Sequence, residues 1–333
     1  MSNAWLYVKI SKRINKEKMS NNFYHIPVLL TETIEALNLK SGLTIVDGTL
    51  GGGGHAKLIL EKILPNGRLI GIDQDAEALK AAKENLEDFK ENTVFVHDNF
   101  RNLNQILDSL GIEKVNGILL DLGVSMHQIM SSLRGFSFAG FEENLNAPLD
   151  MRMNRDNPIT AENILNEYGE AELEELLRKL GEERFARSIA KMIVLKRPLK
   201  SVNALLEAIK AGTPPKYRFG KPTAAWAGNV FRAVRMEVNE ELEVVREVLD
   251  VALNRLNTGG RLAIITFHSL EDRIVKQTFK NWAEEIKPQP GFGVTQKKAI
   301  AKIVTRKPIL PTADEVKSNP ASSSAKLRVV EKI

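Results

Sequence analysis

Four short apolar runs, LTIVD (43–47), GRLIGID (67–73), TVFVHD (93–98) and GILLDLG (117–123), each end near an acid or a glycine. Helix-forming stretches such as DAEALKAAKENLEDF lie between them. Strands that are apolar on both faces must be covered on both faces, so this rhythm predicts a parallel sheet packed between helices. After residue 123 the rhythm stops. From 128 to 235 the chain is helical and loop-like, including EAELEELLRKLGEERFARSIAKMIVLKR and SVNALLEAIKAG, the latter with Ser201 as N-cap and Gly212 just past its end. Alternation resumes with the helix NEELEVVREVLDVALNRL, capped by Asn239, followed by the strand GGRLAIITF (259–267), a helix from Leu270, and short strands near 301–305 and 326–330. The expected organisation is one α/β domain, 25–127 with 236–333, interrupted by a helical insertion at 128–235. Residues 1–24 read as a flexible basic extension.

With 333 residues and 43% hydrophobic content the chain can bury a large core. No apolar run is long enough to cross a bilayer, and the N-terminus lacks the apolar core of a secretory signal. A cytoplasmic protein without a membrane partner is expected. The absence of cysteine removes disulfides, thiolate metal sites and cysteine nucleophiles. Histidines stand only at 25, 55, 97, 127 and 268, with no close pair, so no metal site is expected.

The net charge of +5 conceals a segregated distribution. Between Arg184 and Arg235 there are twelve Lys or Arg against one acid, Glu207; from Lys287 onward there are ten against three, and residues 1–24 carry five against one. The remainder of the chain is acidic. Basic charge gathered in this way on an acidic body fits a polyanion-binding surface, nucleic acid in particular; solvated helix faces and a disordered tail are the plainer alternative.

The stretch DGTLGGGGHA (47–56) sets an aspartate and a histidine on either side of five glycines. It follows the first strand and opens a helix, the place where such sheets bind ligands. Glycine there permits positive φ and lets a ligand lie against bare backbone, although a flexible turn would read the same. Asp73, at the end of the second strand, is positioned to accept hydrogen bonds from a ribose diol. Asp47 bears on which nucleoside binds. An acid just before the glycines repels the pyrophosphate that a helix N-terminus otherwise attracts, and it attracts the ammonium of S-adenosyl-L-methionine. The same carboxylate can also serve as a helix cap.

Asp121 in DLGVS ends the fourth strand beside this crevice. An exocyclic amine is a poor nucleophile because its lone pair is delocalised into the ring. An acceptor that holds one amino hydrogen helps localise the pair, and good positioning can supply roughly 7–11 kcal/mol. A strand-end aspartate that merely caps the next turn is the alternative.

In order along the chain, HIPVLLTETIEAL, VDGTLGGGGH, GIDQD, NF, ILLDLGVS, RGFSF, PLDMRM, GEER, FRAVRMEVNEEL, GGRLAIITFHSLEDRIVK and SAKLRV resemble the ribosomal RNA small subunit methyltransferase H (MraW) family, from about His25 to Arg328. HSLEDR and PLDMRM are far more specific than a glycine loop. The resemblance implies a Rossmann-like class I S-adenosylmethionine-dependent methyltransferase fold with a helical insertion. It also implies N4-methylation of cytosine 1402 in the 16S rRNA of the small ribosomal subunit. Family cofactor contacts carry over to Gly53, Gly54, His55, Asp73, Phe100, Asp121 and Gln128, with Asp121 the catalytic residue. The sequence departs from the family pattern at 126–127, 139–147, 221–230 and 320–324, on the presumed RNA side.

A methyl donor held in a crevice cannot reach a stacked amine, so the base is expected to leave its stack, at a cost of a few kcal/mol. Arg134, Phe136 and Phe138 are candidates to receive it by stacking and phosphate contact, or else to anchor the insertion. His268 and Ser269, with Glu271, Asp272 and Arg273, follow the fifth strand and either shape the substrate side or form a helix N-terminus with Ser269 as cap and acids in its first turn. Two other readings remain open: a nicotinamide-dependent oxidoreductase, disfavoured by Asp47, and an RNA-binding assembly protein with a weakly active cofactor site. The sequence leaves open whether the chain is a monomer or a homodimer.

Overall fold

A computed structural model describes residues 27–125, 128–129, 134–137, 142–219, 225–285 and 298–333. They form two compact units, 27–123 with 242–333, and 124–241. Residues 1–24, Met126, His127 and Phe138 lie outside the described residues, as do 139–141 and 221–224.

The first unit is built on a sheet of β1 (Thr44–Asp47), β2 (Arg68–Asp73), β3 (Thr93–His97), β4 (Val115–Asp121), β5 (Leu256–Thr266), β6 (Ala301–Ile303) and β7 (Lys326–Lys332). Their spatial order is β3-β2-β1-β4-β5-β7-β6. The first five strands are parallel, and β7 runs antiparallel to both β5 and β6. This is a Rossmann-like sheet, and the apolar runs of the sequence supply its strands.

Both faces of the sheet are covered because successive strand residues point to opposite sides. Val46, Ile70, Ile72, Ile118, Leu120, Leu262 and Ile264 share one core with α4 (Leu103–Ser109), α10 (Glu241–Asn254) and α11 (Ser269–Ala283). Ile45, Leu69, Leu119, Ala263, Ile265, Leu327 and Val329 share the other with α1 (Leu30–Ala36), α2 (Gly54–Ile63) and α3 (Ala76–Asn85). Strand order reverses between β1 and β4, which opens a crevice at their carboxyl ends. Gly48 lies on the floor of this crevice: a Cβ there would stand 2.5 Å from Leu120 Cδ2, so the turn after β1 can lie flat against β4 only without a side chain.

The second unit is helical, with α5 (Ala161–Glu167), α6 (Glu170–Lys179), α7 (Ala186–Leu195), α8 (Val202–Gly212) and α9 (Gly228–Val238) packed around Ile164, Leu177, Ile189, Ile193, Leu205 and Val234. Ser201 caps α8, its hydroxyl accepting from Ala204 N–H. Gly212 is the last residue of α8 rather than the residue beyond it. A Cβ on it would meet Ile189 Cα at 2.7 Å, so the glycine serves the close approach of α8 to α7.

Asn239 is also corrected. The sequence predicts an N-cap for α10, but Asn239 is the C-cap of α9, and α10 begins at Glu241. Its side chain accepts from Met153 N–H (2.7 Å) and donates to the carbonyls of Met151 and Arg235, both at 2.8 Å, tying α9 to the PLDMRM segment. No helix among the described residues is long and apolar enough to cross a membrane.

Candidate active site

The loop after β1 is set by hydrogen bonds from its own backbone. Thr49 N–H donates to Asp47 Oδ1 (3.2 Å), Leu50 N–H to the Ile72 carbonyl (2.9 Å), and Gly51 N–H to Asp73 Oδ2 (2.8 Å). Gly51 (φ 53°) and Gly53 (φ 83°), the N-cap of α2, occupy the left-handed region that glycine adopts freely. Gly54 is needed for space: a Cβ there would come within 2.3 Å of Pro27 Cγ. His55 follows, buried, with Nε2 at 3.0 Å from the Val28 carbonyl and Nδ1 at 3.8 Å from Asp121 Oδ2.

Three aspartates converge on this loop from the ends of β1, β2 and β4. Asp47 is buried, and burial with the added charge of Asp73 pushes its pKa to about 7, against the opposing hydrogen bonds from Thr49. Burial likewise pushes Asp73 to about 6, although its carboxylate accepts the N–H groups of Gly51 and Asp75, both at 2.8 Å. Asp121 is raised well above the usual carboxylate range by burial and by the charges of Asp47 and Glu271. Its Oδ1 is closed off from solvent and has no hydrogen-bond partner.

Thr49 links two of these acids. Its Oγ1 accepts Asp121 N–H at 2.6 Å while the hydroxyl hydrogen-bonds Asp47, so the end of β4 is pinned to the end of β1. Nothing in the sequence alone singles out Thr49. A hydroxyl two residues after a strand-end aspartate is a local turn signal, and only the adjacency of β1 and β4 gives it a second partner.

The NF motif stands beside β2. Asn99 donates to the Gln74 side chain (2.9 Å) and accepts from Arg101 N–H (2.9 Å), which holds half-buried Phe100 with its Cβ 3.3 Å from where a Gly48 side chain would begin. At the end of β5, His268 rather than Ser269 is the N-cap of α11: its Nδ1 accepts from Glu271 N–H at 3.4 Å, while the Glu271 carboxylate accepts from Phe267 N–H at 2.8 Å. Ser269 is exposed at the first helical position. Asp272 accepts from Arg328 Nε (2.7 Å) and Lys326 Nζ (3.3 Å), so the HSLEDR and SAKLRV motifs meet in an ion cluster that fastens α11 to β7. These cations hold the Asp272 carboxyl below the usual range despite burial.

Other candidates belong to the helical unit. Gln128 is buried there, its Oε1 accepting from Ser125 N–H at 2.9 Å and its own N–H donating to Ser125 Oγ at 3.2 Å. Arg134 is 1% exposed and donates to the Met153 carbonyl, with its guanidinium 5.9 Å from the Phe136 ring centre. Phe136 is part of that unit's hydrophobic core. In this arrangement both side chains anchor the RGFSF segment instead of presenting themselves to a base, because each is already enclosed by its own unit.

A profile of the MraW methylase family matches residues 22–333. The chain belongs to this family. Ribosomal RNA small subunit methyltransferase H of Clostridium botulinum (strain Kyoto / Type A2) is 49% identical over 317 residues, covering 93% of this chain and 99% of that protein. The protein of the same description from Lachnospira eligens is 46% identical over 318 residues, covering 93% and 98%. Among solved structures, an rRNA methylase from Streptococcus thermophilus aligns over 91% of this chain and 93% of its own at 13% identity and a TM-score of 0.39, too remote to bear on the reading. MraW membership accounts for the order of the motifs, and S-adenosylmethionine is the cofactor of the chain.

Proposed function

We infer that this MraW protein is an S-adenosylmethionine-dependent methyltransferase acting on N4 of a cytosine, the one at position 1402, in the 16S RNA of the small ribosomal subunit. The observation that carries the chemistry is Asp121. Its Oδ1 is enclosed without a donor at the open end of β4, across the strand-order reversal from a loop of bare backbone. A buried acceptor left unmet costs about 1–3 kcal/mol, and an amino group entering the crevice removes that cost.

The residues around the crevice fit the cofactor. Asp47 would hold an ammonium, Asp73 the ribose hydroxyls, Gly53, Gly54 and His55 the face laid against backbone, and Phe100 the adenine ring, where an aromatic offers contact area. Bound S-adenosylmethionine supplies an activated methyl group on a cationic sulfur. Asp121 Oδ1 accepts one N4 hydrogen, helps localise the nitrogen lone pair, and takes the proton that the amine sheds on gaining a methyl. Thr49 holds the Asp121 backbone in place for this. His268 and Ser269 border the substrate side at the end of β5, and the helical unit serves substrate recognition. The base is turned out of its stack to enter. A ribosomal substrate implies a cytoplasmic location.

The test is methyl transfer from labelled S-adenosylmethionine to small subunits lacking the modification, followed by nucleoside analysis. N4-methylcytidine is expected with the parent protein and near-complete loss with Asp121→Ala, which should stay folded. Methylation of another atom, or full activity of Asp121→Ala, would overturn the assignment.

A further inference from the structure

The twelve basic residues between Arg184 and Arg235 are not equivalent in the structure. Arg197 donates to the carbonyls of Leu165 and Tyr168, Arg218 to that of Thr213, and Arg232 to that of Gly181. Arg235 makes a two-pronged contact with Glu241 at 2.7 and 2.8 Å. Lys210 pairs with Glu207. These five are committed within the helical unit, Lys221 lies outside the described residues, and Lys216 is exposed on the short helix Pro215–Arg218.

A different set faces solvent. On α7, Ala186, Ile189, Ala190 and Ile193 are buried, whereas Arg187 and Lys191, one turn apart, are exposed on the opposite side. Arg184 continues this stripe at the N-terminal end; Lys196, the C-cap of the helix, and Lys200 beyond it are exposed as well. Among the described residues no carboxylate pairs with any of these five, and no acid occurs in the sequence between Arg184 and Lys200. Five uncompensated cations along some 17 residues of surface would repel one another in the absence of an anionic partner.

An aromatic side chain stands at the Arg184 end. Phe219 is 89% exposed, the most open large apolar residue among those described. Its neighbour Tyr217 packs edge-on against Phe185 with ring centres 4.9 Å apart, and Phe185 lies 5.5 Å from the Arg184 guanidinium. The segment that carries Phe219 is therefore attached to the Arg184 end of α7. Exposed cations in a row with a solvent-facing ring are the two parts of a surface for single-stranded nucleic acid: the charges follow phosphates and the ring stacks on an unpaired base. A duplex offers no free base face to such a ring.

We propose that the outer face of α7, with Arg184, Arg187 and Lys191 and with Lys196 and Lys200 in the exposed segment that follows the helix, is a track for the phosphates of single-stranded RNA, and that Phe219 is its stacking platform. This rests on the reading of the chain as an RNA methyltransferase and adds which of its basic residues touch RNA. It assigns no contact to Arg197, Arg218, Arg232 or Arg235.

The test measures binding of the full-length protein to a labelled single-stranded RNA of mixed sequence across a range of salt concentrations, with vesicles of phosphatidylserine as a second probe. Each phosphate contact on a single strand contributes about 0.7 to the slope of log affinity against log salt. The triple variant Arg187→Gln, Lys191→Gln, Lys200→Gln should flatten the slope by about 2 and weaken binding roughly 100-fold at about 0.1 M salt. Phe219→Ala should weaken binding about tenfold with the slope unchanged. Lys210→Gln should leave both as in the parent, and Arg197→Gln should lower the melting temperature without changing the slope. Methyl transfer at saturating RNA should keep its rate in the triple variant while the RNA concentration needed rises. A triple variant that binds RNA with parental slope and affinity overturns the proposal, as does one that loses only vesicle binding. If the parent binds RNA as expected but yields no N4-methylcytidine, the track stands and the assigned reaction falls.

Discussion

Replacing Asp47 by asparagine removes a charge from a position where the fold opposes it. Burial raises the Asp47 pKa from 3.8 to about 7. Between those values the folded chain still binds a proton that the unfolded chain has released, so this group makes stability fall as pH rises through the window, and the deficit is complete above about pH 7. At about 1.36 kcal/mol per unit, the interval from 3.8 to about 7 corresponds to about 4 kcal/mol as an upper bound. The asparagine side chain keeps the shape, still accepts from Thr49 N–H through its carbonyl, and has no charge to desolvate. The cofactor-free variant should therefore resemble the parent near pH 4 and exceed it by up to about 4 kcal/mol at pH 8, roughly 10 °C in melting temperature. The same variant loses a charged partner for the cofactor's ammonium, worth about 1.5–3 kcal/mol, so its affinity for S-adenosylmethionine should fall some 10- to 100-fold. Thermal and urea unfolding of both proteins at pH 5, 6, 7 and 8, with calorimetric titration of the cofactor, provides the measurement. A variant less stable than the parent at pH 8, or a stability difference that does not grow with pH, would refute the reasoning.

Thr49→Val removes the hydroxyl that links Asp47 to Asp121; turnover should drop at least tenfold with less effect on cofactor affinity, and Thr49→Ser should restore most of it, as read by single-turnover methyl transfer. Gly54→Ala forces a methyl against Pro27 Cγ at 2.3 Å, and overpacking of this kind costs about 1–3 kcal/mol, visible in urea unfolding together with weaker cofactor binding. Glu271→Gln removes one of the charges that raise Asp121, so the ascending limb of turnover against pH should move to lower pH; an unmoved limb would separate Asp121 from the proton it is assigned.

Much of the sheet unit was legible because its signals are local. Runs such as LTIVD and GILLDLG can be satisfied only by strands buried on both faces, and glycines that open a helix directly after a strand mark the ligand crevice. Local signals failed where two segments compete for one residue. Asn239 has the composition of an N-cap, yet its amide is held by Met151 and Met153, almost ninety positions away in sequence. His268 displaced Ser269 as the cap of α11 because Glu271 reaches back to two backbone N–H groups in its place. The basic run of the insertion was legible as charge, but its division into committed and solvent-facing residues depends on which carbonyls the folded helices leave without partners.

From the amino-acid order alone follow the alternation of strands and helices, the glycine turn after β1, and the acids at the ends of β1, β2 and β4. Each of these is dictated by residues within one turn or one strand, where backbone sterics and side-chain periodicity act directly. Tertiary structure decided the rest: that Asp47 and Asp121 become neighbours joined through Thr49, that both lose water and so resist ionisation, and that Asp121 Oδ1 is left waiting for a donor. Those properties arise only when β1 and β4 pair across more than seventy residues, because desolvation and charge coupling depend on distance in space and not on distance along the chain.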